Sequence, residues 1–159
     1  VYADGERTPA SLAIRGNEGA AIQLAPCCCP IPGDPIIGLP HKHSGLIVHS
    51  HTCPEIRGVQ GNEANDWIQM NWAPEPGILF DTRIKVTIRH LNGMLGRIAT
   101  AISQAGASIE QVNMDNQYHG LTSDLHFLIQ VANRQHLARL IRQLRRIPEV
   151  IRIAREQQE

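Results

Sequence analysis

The sequence lacks the marks of several protein classes. None of its apolar runs approaches membrane-spanning length, and no signal peptide is visible, so neither a membrane partner nor secretion is indicated. Common catalytic motifs are also missing: there is no P-loop, no HExxH and no GxSxG. Fifteen basic and fifteen acidic residues leave no net charge in 159 residues. These absences predict a cytoplasmic binding or regulatory segment rather than an enzyme.

The charges are unevenly divided along the chain. Residues 1–79 carry four Lys or Arg and eight Asp or Glu, whereas residues 80–159 carry eleven and seven. The second half is therefore the candidate for a polyanionic partner. The Pro- and Gly-bearing stretch 73–77 (APEPG) is the predicted linker between two domains, 1–73 and 78–159. Because the chain opens with Val1 rather than Met, we expect it to be a piece of a longer protein.

All four cysteines lie in residues 25–53, together with four of the eight histidines. The stretch is rich in proline and glycine and cannot form a large apolar core, so a metal is the expected stabiliser. Two short strands, 36–39 and 45–49, predict a hairpin that brings the two donor-bearing ends together. His49 and Cys53 have ordinary zinc-ligand spacing, and Cys27 and Cys28 supply two further donors.

The spacing leaves alternatives to zinc open. The thiols could instead be reduced structural groups in a small core, or a redox pair; a vicinal disulfide is the least favoured reading. Cys29 and His51 are spare donors that could replace one of the four ligands.

The second half has clearer periodicity. Residues 82–90 and 123–132 alternate apolar with polar side chains. Residues 92–105 place Leu95, Ile98, Ala99 and Ile102 on one predicted buried stripe, and residues 134–146 form a second helical pattern with Asn133 as its N-cap. With strands at 107–114 and 150–154, the order is β-α-β-β-α-β. That order predicts a ferredoxin-like fold, so the fold class is α+β: a small β-rich Cys/His module followed by a ferredoxin-like domain.

Two stretches of the second half are candidate binding elements. The first strand and first helix are joined by a loop whose glycine lets a ligand approach the backbone, or merely permits a tight turn. Its residues are His90, Leu91, Asn92, Gly93, Met94 and Leu95. The last helix carries arginines with almost no acidic residue at i+4 spacing, which indicates contact with a phosphate backbone or a solvated face. The candidate RNA contacts are Arg139, Arg142, Arg145 and Arg146.

The motifs resemble a known family. CC-x-PIPGDPIIG, followed by GLxVH and HxxxC, resembles the zinc-finger or ribosome-intersubunit (RIS) module of the RelA/SpoT family, the long stringent-response enzymes that make and degrade (p)ppGpp. The preceding SLAIRGNEGAAIQLAPCC is similar to that family's approach to the module. Residues 80–155 resemble the ACT domain that ends those proteins. The wording PIPGDPIIG is nearer the bifunctional, SpoT-like branch.

The resemblance implies a metal site and a set of partners. It carries the zinc ligands over to Cys27, Cys28, His49 and Cys53, with Cys29 as a bystander. It implies contact with ribosomal RNA and detection of uncharged tRNA on a stalled ribosome. It also implies restraint of the parent's catalytic domains, a hydrolase and a synthetase that this chain lacks.

Two rival functions remain. ACT domains can bind a small amino acid at the strand–helix loop, often where two such domains pair, so a branched-chain amino-acid sensor acting through dimerisation is one alternative. The family's usual Asp-Arg opening of that loop is replaced here by His90-Leu91, which removes an acidic neighbour from a ligand's ammonium group. A redox switch on Cys27, Cys28 and Cys29 is the other alternative.

Overall fold

The computed structural model describes residues 12–41, 43, 45–57, 67–89, 93–115 and 122–157. They belong to two compact units, one ending at Ile78 and the other spanning Leu79–Gln157. None of the helices formed by these residues has the length and apolar character needed to cross a membrane. Each unit is built around one sheet.

Strands make up most of the regular structure of the first unit. Its elements are β1 (Leu12–Ile14), a 3-10 turn (Gly19–Ala21), β2 (Ile22–Leu24), β3 (Ile36–His41), β4 (Gly45–Ser50), the short helix α1 (Pro54–Arg57) and β5 (Ile68–Trp72). The sheet order is β1-β5-β3-β4-β2. The predicted hairpin is confirmed as β3 and β4, with Ile37 opposite His49. Two parallel pairings, β1 with β5 and β2 with β4, complete the sheet.

The PIPGD segment forms a tight turn before β3. The buried Asp34 carboxylate accepts a hydrogen bond from the Ile31 N–H at 2.9 Å, and the Asp34 N–H donates back to the Ile31 carbonyl at 3.0 Å. Gly33 has φ 103°, a left-handed conformation that an L side chain rarely adopts. The Trp72 indole N–H donates to the Asp34 carbonyl at 3.0 Å and ties the turn to β5. The turn is therefore held by side-chain chemistry as much as by its backbone.

The second unit has the predicted β-α-β-β-α-β order. Its elements are β6 (Phe80–Arg89), α2 (Met94–Gln104), β7 (Ser108–Asp115), β8 (Thr122–Val131), α3 (Arg134–Arg145) and β9 (Val150–Glu156). The antiparallel sheet has the order β9-β6-β8-β7. The two central strands pair from Phe80 with Val131 to Arg89 with Thr122. This confirms the predicted α+β class with a ferredoxin-like second half.

The helices pack on one face of this sheet through apolar stripes. Ile98 and Ile102 of α2 and Leu140 and Leu144 of α3 are fully buried, as their spacing predicts. One detail of the predicted stripe is wrong: Leu95 is 40% exposed. Because α2 begins at Met94, the buried positions are 94, 98 and 102, spaced by four residues, and Leu95 lies beside that stripe.

Both helices have defined ends. The Asn133 side chain accepts from the His136 N–H at 2.8 Å and caps α3, as predicted. At the end of α2, the Gly106 N–H donates to the Ser103 carbonyl and the Ala107 N–H to the Ile102 carbonyl. Gly106 has φ 85°, so this is a Schellman ending with glycine in the left-handed position.

Candidate metal centre

Two chain segments bring the cysteines and one histidine together. Cys27 and Cys28 lie in the turn that follows β2, which is closed by the Cys29 N–H donating to the Ala25 carbonyl at 2.9 Å. The Ala25 N–H in turn donates to the Val48 carbonyl at 2.9 Å and holds this turn against β4. His49 lies on β4, so the sheet fixes its position relative to the cysteine turn.

Cys53 is placed by a second turn. Its N–H donates to the Ser50 carbonyl at 3.0 Å, and its own carbonyl accepts from the Ile56 N–H at the start of α1. The second turn therefore returns the chain toward the first. The hairpin predicted from the sequence already implied this convergence.

The four donor atoms lie close enough to share one ion. One ligand atom from each of Cys27, Cys28, His49 and Cys53 can be chosen so that all four lie within 4.8 Å of one another. Cys27 Sγ is 3.5 Å from Cys53 Sγ and 3.5 Å from His49 Nδ1, and Cys28 Sγ is 3.9 Å from the same nitrogen. The arrangement presents Nδ1, rather than Nε2, to the sulfurs.

The surroundings of the cluster are apolar. Cys28 and Cys53 are buried with Ala25, Ile37 and Ile56 in one hydrophobic cluster. Burial, and then the neighbouring Cys53 thiol, raises the pKa of Cys27 to about 11. Burial also raises the pKa of Cys28 and lowers the pKa of His49. On their own these groups therefore favour neutral thiols and a neutral imidazole.

One backbone group opposes that trend. The Ser50 N–H donates to Cys28 Sγ at 3.3 Å, which favours the thiolate form of Cys28. A neutral imidazole offers a lone pair to a metal, and a dication would stabilise the thiolates that burial disfavours. Three sulfurs and one imidazole nitrogen are the donor set of a closed structural zinc site, so the residues present fit that metal. Sequence reasoning missed the Ser50 donor, because no motif marks a backbone N–H.

The spare donors are elsewhere. The Cys29 thiol lies 3.5 Å from the Pro26 carbonyl and donates to it, and Cys29 is itself in a left-handed conformation with φ 46°. His51 is exposed, and its N–H donates to the Pro35 carbonyl at 3.0 Å. Neither belongs to the four-residue group.

The predicted ligand loop of the second unit is only partly described. His90, Leu91 and Asn92 lie outside the described residues. Gly93 precedes α2 with φ 82°, Met94 is buried and Leu95 is exposed. Gly93, Gly96, Thr100 and Ile147 help to line an open groove of about 580 Å³ along α2. A Cβ at Gly93 would meet no atom within 4 Å, so its backbone conformation, rather than a lack of space, favours glycine.

The predicted RNA-contacting arginines all lie at the surface. Arg139 and Arg142 on α3, and Arg145 and Arg146 at its end, are exposed. Within the described ranges, no ion pair joins any of the four to a carboxylate. Arg142 and Arg145 occupy the last turn, where cations also offset the helix dipole. The face is therefore cationic and open to solvent.

Family models match nearly the whole chain. Residues 12–73 match the RelA/SpoT RIS domain, and residues 77–155 match the ACT domain. The chain is 34% identical over 144 residues to "Bifunctional (p)ppGpp synthase/hydrolase SpoT" of Escherichia coli strain K12, an alignment that covers 91% of this chain and 20% of that protein. It is 25% identical over 144 residues to "Bifunctional (p)ppGpp synthase/hydrolase RelA" of Mycobacterium tuberculosis, covering 91% of this chain and 19% of that one.

The chain thus spans about a fifth of the length of these curated relatives. Among solved structures, the crystal structure of the ACT domain from GTP pyrophosphokinase of Chlorobium tepidum is similar, with a TM-score of 0.43 and 26% identity. That similarity covers 49% of this chain and 99% of the solved one.

Proposed function

The chain belongs to the RelA/SpoT family, and from that premise we propose that it is the C-terminal regulatory segment of a cytoplasmic (p)ppGpp synthetase/hydrolase. In this role the segment senses the ribosome and uncharged tRNA and restrains the catalytic domains of the parent enzyme. The observation that carries the proposal is the succession of a RIS domain and an ACT domain in one chain. Both of these relatives are named as bifunctional enzymes, and the higher identity to SpoT than to RelA, 34% against 25%, favours the SpoT-like branch.

A zinc ion held by Cys27, Cys28, His49 and Cys53 organises the first domain in this proposal. Support comes from the donor set and from the mutual distances of the four ligand atoms, all within 4.8 Å. When bound, the metal would supply a structural crosslink between the cysteine turn after β2 and the turn after β4. It would supply no catalysis, because four protein ligands leave no open coordination position.

The cationic face of α3, formed by Arg139, Arg142, Arg145 and Arg146, is the proposed RNA contact. An RNA backbone carries closely spaced negative charge, and arginine pairs with phosphate through parallel hydrogen bonds. Exposure of all four side chains supports this role, as does the absence of an ion pair to them among the described residues. The charge excess of the second half has the same sign.

Ribosome binding tests the proposal. The 159-residue chain should co-sediment with ribosomes, and binding should tighten when uncharged tRNA occupies the A site. Arg142→Gln/Arg145→Gln should weaken binding, and the slope of log affinity against log salt should become shallower by about one for each lost phosphate contact. A matched control, Ser103→Glu/Gln104→Glu, makes the same change in net charge on the exposed surface of α2 and should leave binding nearly unchanged.

The contrary results are equally clear. Affinity that does not depend on salt, or equal loss in both double variants, would exclude the α3 contact. We also propose that this segment alone has no (p)ppGpp synthetase or hydrolase activity. A turnover assay on the chain that detects either reaction refutes that statement.

A small amino acid is the second candidate ligand. The groove along α2 that includes Gly93 favours it, since this glycine belongs to the predicted ligand loop. Calorimetry against valine and isoleucine, with the oligomeric state measured in parallel, separates the two functions. A dimer that tightens with ligand supports the sensor, and no heat with either amino acid removes it.

A redox switch is the remaining alternative. The switch was expected on Cys27, Cys28 and Cys29, of which Cys29 is outside the four-donor group. Cys27 Sγ and Cys53 Sγ, 3.5 Å apart, are a pair of thiols in reach of one another. Thiol counting with and without a chelator distinguishes the cases, because thiolates held by zinc become reactive only after the metal leaves.

A further inference from the structure

His126 lies in an unusual position on the second unit. It is in the centre of β8, on the sheet face opposite the helices, which we call the open face and which also carries Arg83, Lys85, Asp124 and Glu156. Its Nδ1 is 2.8 Å from Glu156 Oε1, and its Nε2 is 2.8 Å from Asp115 Oδ2. Asp115 is the last residue of β7 and Glu156 the last of β9. These are the two edge strands of the sheet.

The two hydrogen bonds determine where the protons are. An ionised carboxylate can only accept a hydrogen bond, whereas a neutral imidazole carries one N–H and one lone pair. With a carboxylate on each nitrogen, a neutral ring would direct its lone pair at a carboxylate oxygen. Both contacts are satisfied only when both nitrogens carry a proton, so the geometry requires an imidazolium. Hydrogen bonds to Glu156 and Asp115 accordingly raise the pKa of His126.

The other charged groups around the ring do not cancel this effect. Lys85 is the cross-strand partner of His126 on β6, and Arg83 lines the same shallow cavity together with Glu156. These two cations disfavour a further positive charge, but neither appears among the groups bonded to the ring. Asp124 on β8 is occupied by the Thr87 hydroxyl, which donates to it at 2.7 Å. On the β7 side, the uncharged Asn113 is opposite His126.

His136 provides an internal contrast. The Ala132 N–H donates to its Nδ1 at 2.9 Å, and its Nε2 is 2.7 Å from the Ala105 carbonyl. One partner is a donor and the other an acceptor, so a neutral ring with the proton on Nε2 satisfies both contacts. The hydrogen-bond partners of His126 and His136 thus favour different protonation states of the two rings, although both lie in one domain.

We propose that Asp115, His126 and Glu156 form a proton-operated tie that holds both edge strands of the ACT sheet to its centre. While the ring carries two protons, it links the end of β7 to the end of β9 across β8 and β6. Loss of one proton leaves a carboxylate facing a lone pair, so one edge strand is released from the tie. The tie does not depend on the metal centre or on the proposed ribosome contact.

The direction of the pH dependence follows from the raised pKa of His126. A group whose pKa is raised by folding stabilises the fold fully below its ordinary value, about 6.5 for histidine. That contribution is lost as the pH rises through the folded-state value. The sheet edges should therefore loosen as the pH rises through the raised, folded-state pKa of His126.

NMR of the imidazole rings in the 159-residue chain tests the proposal directly. His126 should still carry protons on both nitrogens at the pH where an ordinary histidine is half titrated, and its titration midpoint should lie above that pH. Glu156→Gln and Asp115→Asn should each lower the titration midpoint of His126 and leave the signals of His136 in place. Amide exchange at Asp115 and Glu156 should accelerate roughly tenfold as His126 deprotonates, the factor expected for loss of one charge-assisted hydrogen bond.

Each readout can also contradict the tie. A His126 midpoint at or below that of an ordinary histidine overturns it, and this measurement on the unaltered chain needs no variant to fold. Midpoints that do not move in Glu156→Gln and Asp115→Asn also overturn it. Edge-strand exchange that follows intrinsic pH dependence alone would show that the ring is charged but ties nothing.

Discussion

The two units of this chain are stabilised by different means. The second unit buries a continuous set of large side chains, with Ile84, Phe127, Ile129 and Leu140 at most 1% exposed, between a four-stranded sheet and two helices. Among its described residues, the first unit has two small apolar clusters, and two of the five buried members of one of them are Cys28 and Cys53. Apolar burial stabilises the second unit by itself, whereas the first places candidate metal ligands inside its core.

The backbone shows the same division. Among the described residues, six of the first unit have positive φ and only two of the second do. One of the six is Cys29, which is not a glycine. Left-handed residues are needed where turns replace regular structure, so the first unit depends on particular residues at many positions. The stability of the second unit depends mainly on the periodic placement of apolar side chains, and such a pattern tolerates exchange of one apolar residue for another of similar volume.

Metal removal should produce the largest difference in stability between the two units. Chelation, or Cys28→Ser, should remove about 10 kcal/mol or more of metal-linked stabilisation and unfold the first unit, since structural zinc binding is itself folding free energy. The second unit should stay folded. Zinc content by mass spectrometry and the amide NMR spectrum, followed unit by unit, measure both effects.

Cys29→Ser is the matched control for that experiment. A serine hydroxyl can donate to the Pro26 carbonyl as the Cys29 thiol does, and Cys29 is outside the four-donor group. Zinc content should therefore stay at the wild-type level. If chelation leaves the first-unit spectrum unchanged, apolar packing alone stabilises that unit and the contrast between the units disappears.

A large-to-small substitution in the core of the second unit should destabilise that unit and leave the first unit unchanged. Leu140→Ala leaves a cavity at a fully buried position of α3 and should cost about 2–5 kcal/mol of the free energy of unfolding of the second unit. Zinc content and the first-unit spectrum should not change. Leu95→Ala, at a side chain that is 40% exposed, should cost much less under the same urea titration. Equal losses in the two variants would contradict the assigned packing of α2.

A glycine in the first unit should be nearly as sensitive as a core leucine in the second. A Cβ at Gly45 would lie 2.5 Å from the Ala21 carbonyl oxygen, a backbone atom, and its φ is +68°. Gly45→Ala should therefore destabilise the first unit by roughly 2–3 kcal/mol, from conformational strain and the clash together.

Gly19→Ala separates those two contributions. Gly19 also has positive φ, +82°, but a Cβ there meets no atom within 4 Å. Its substitution should show the conformational cost alone, roughly 1–2 kcal/mol. Metal-loaded protein unfolded in urea gives both values. Equal costs would mean that the parallel pairing of β2 with β4 adjusts to the extra methyl group.

Prediction from the sequence succeeded for helices and strands in which apolar side chains recur at a fixed spacing. The alternation in β6 and β8 and the leucine spacing of α3 identify buried faces from local composition, and the fold of the second unit followed from them. Leu95 was misassigned because two adjacent apolar residues begin α2 and only the exact start of the helix distinguishes them. Periodicity therefore identifies the buried face of a helix or strand more reliably than the residue at which that element begins.

The remaining features depend on contacts between residues far apart in the sequence. Donor spacing and the family resemblance brought Cys27, Cys28, His49 and Cys53 together, but neither indicated the Ser50 N–H on Cys28. Strands of three residues, such as β1 and β2, carry no period, so their parallel pairings could not be predicted. The His126 tie joins strands that are not neighbours in the sheet, and no local pattern encodes it.

The smallest predicted effect is at the N-cap of α3. It tests whether the stability of the second unit depends on a particular residue outside its apolar core. Asn133→Ala removes the side-chain acceptor of the His136 N–H and should cost about 1 kcal/mol. For a domain of this size, that corresponds to a lower melting temperature by roughly 4–8 °C. Asn133→Asp keeps the acceptor and adds a negative charge at a helix start that has no acidic residue in its first turn, so it should match or slightly exceed wild-type stability. If the alanine and aspartate variants have the same melting temperature, the side-chain cap does not stabilise α3, and its leucine stripe alone positions the helix. The stability of the second unit would then depend on the spacing of its apolar residues and not on this cap.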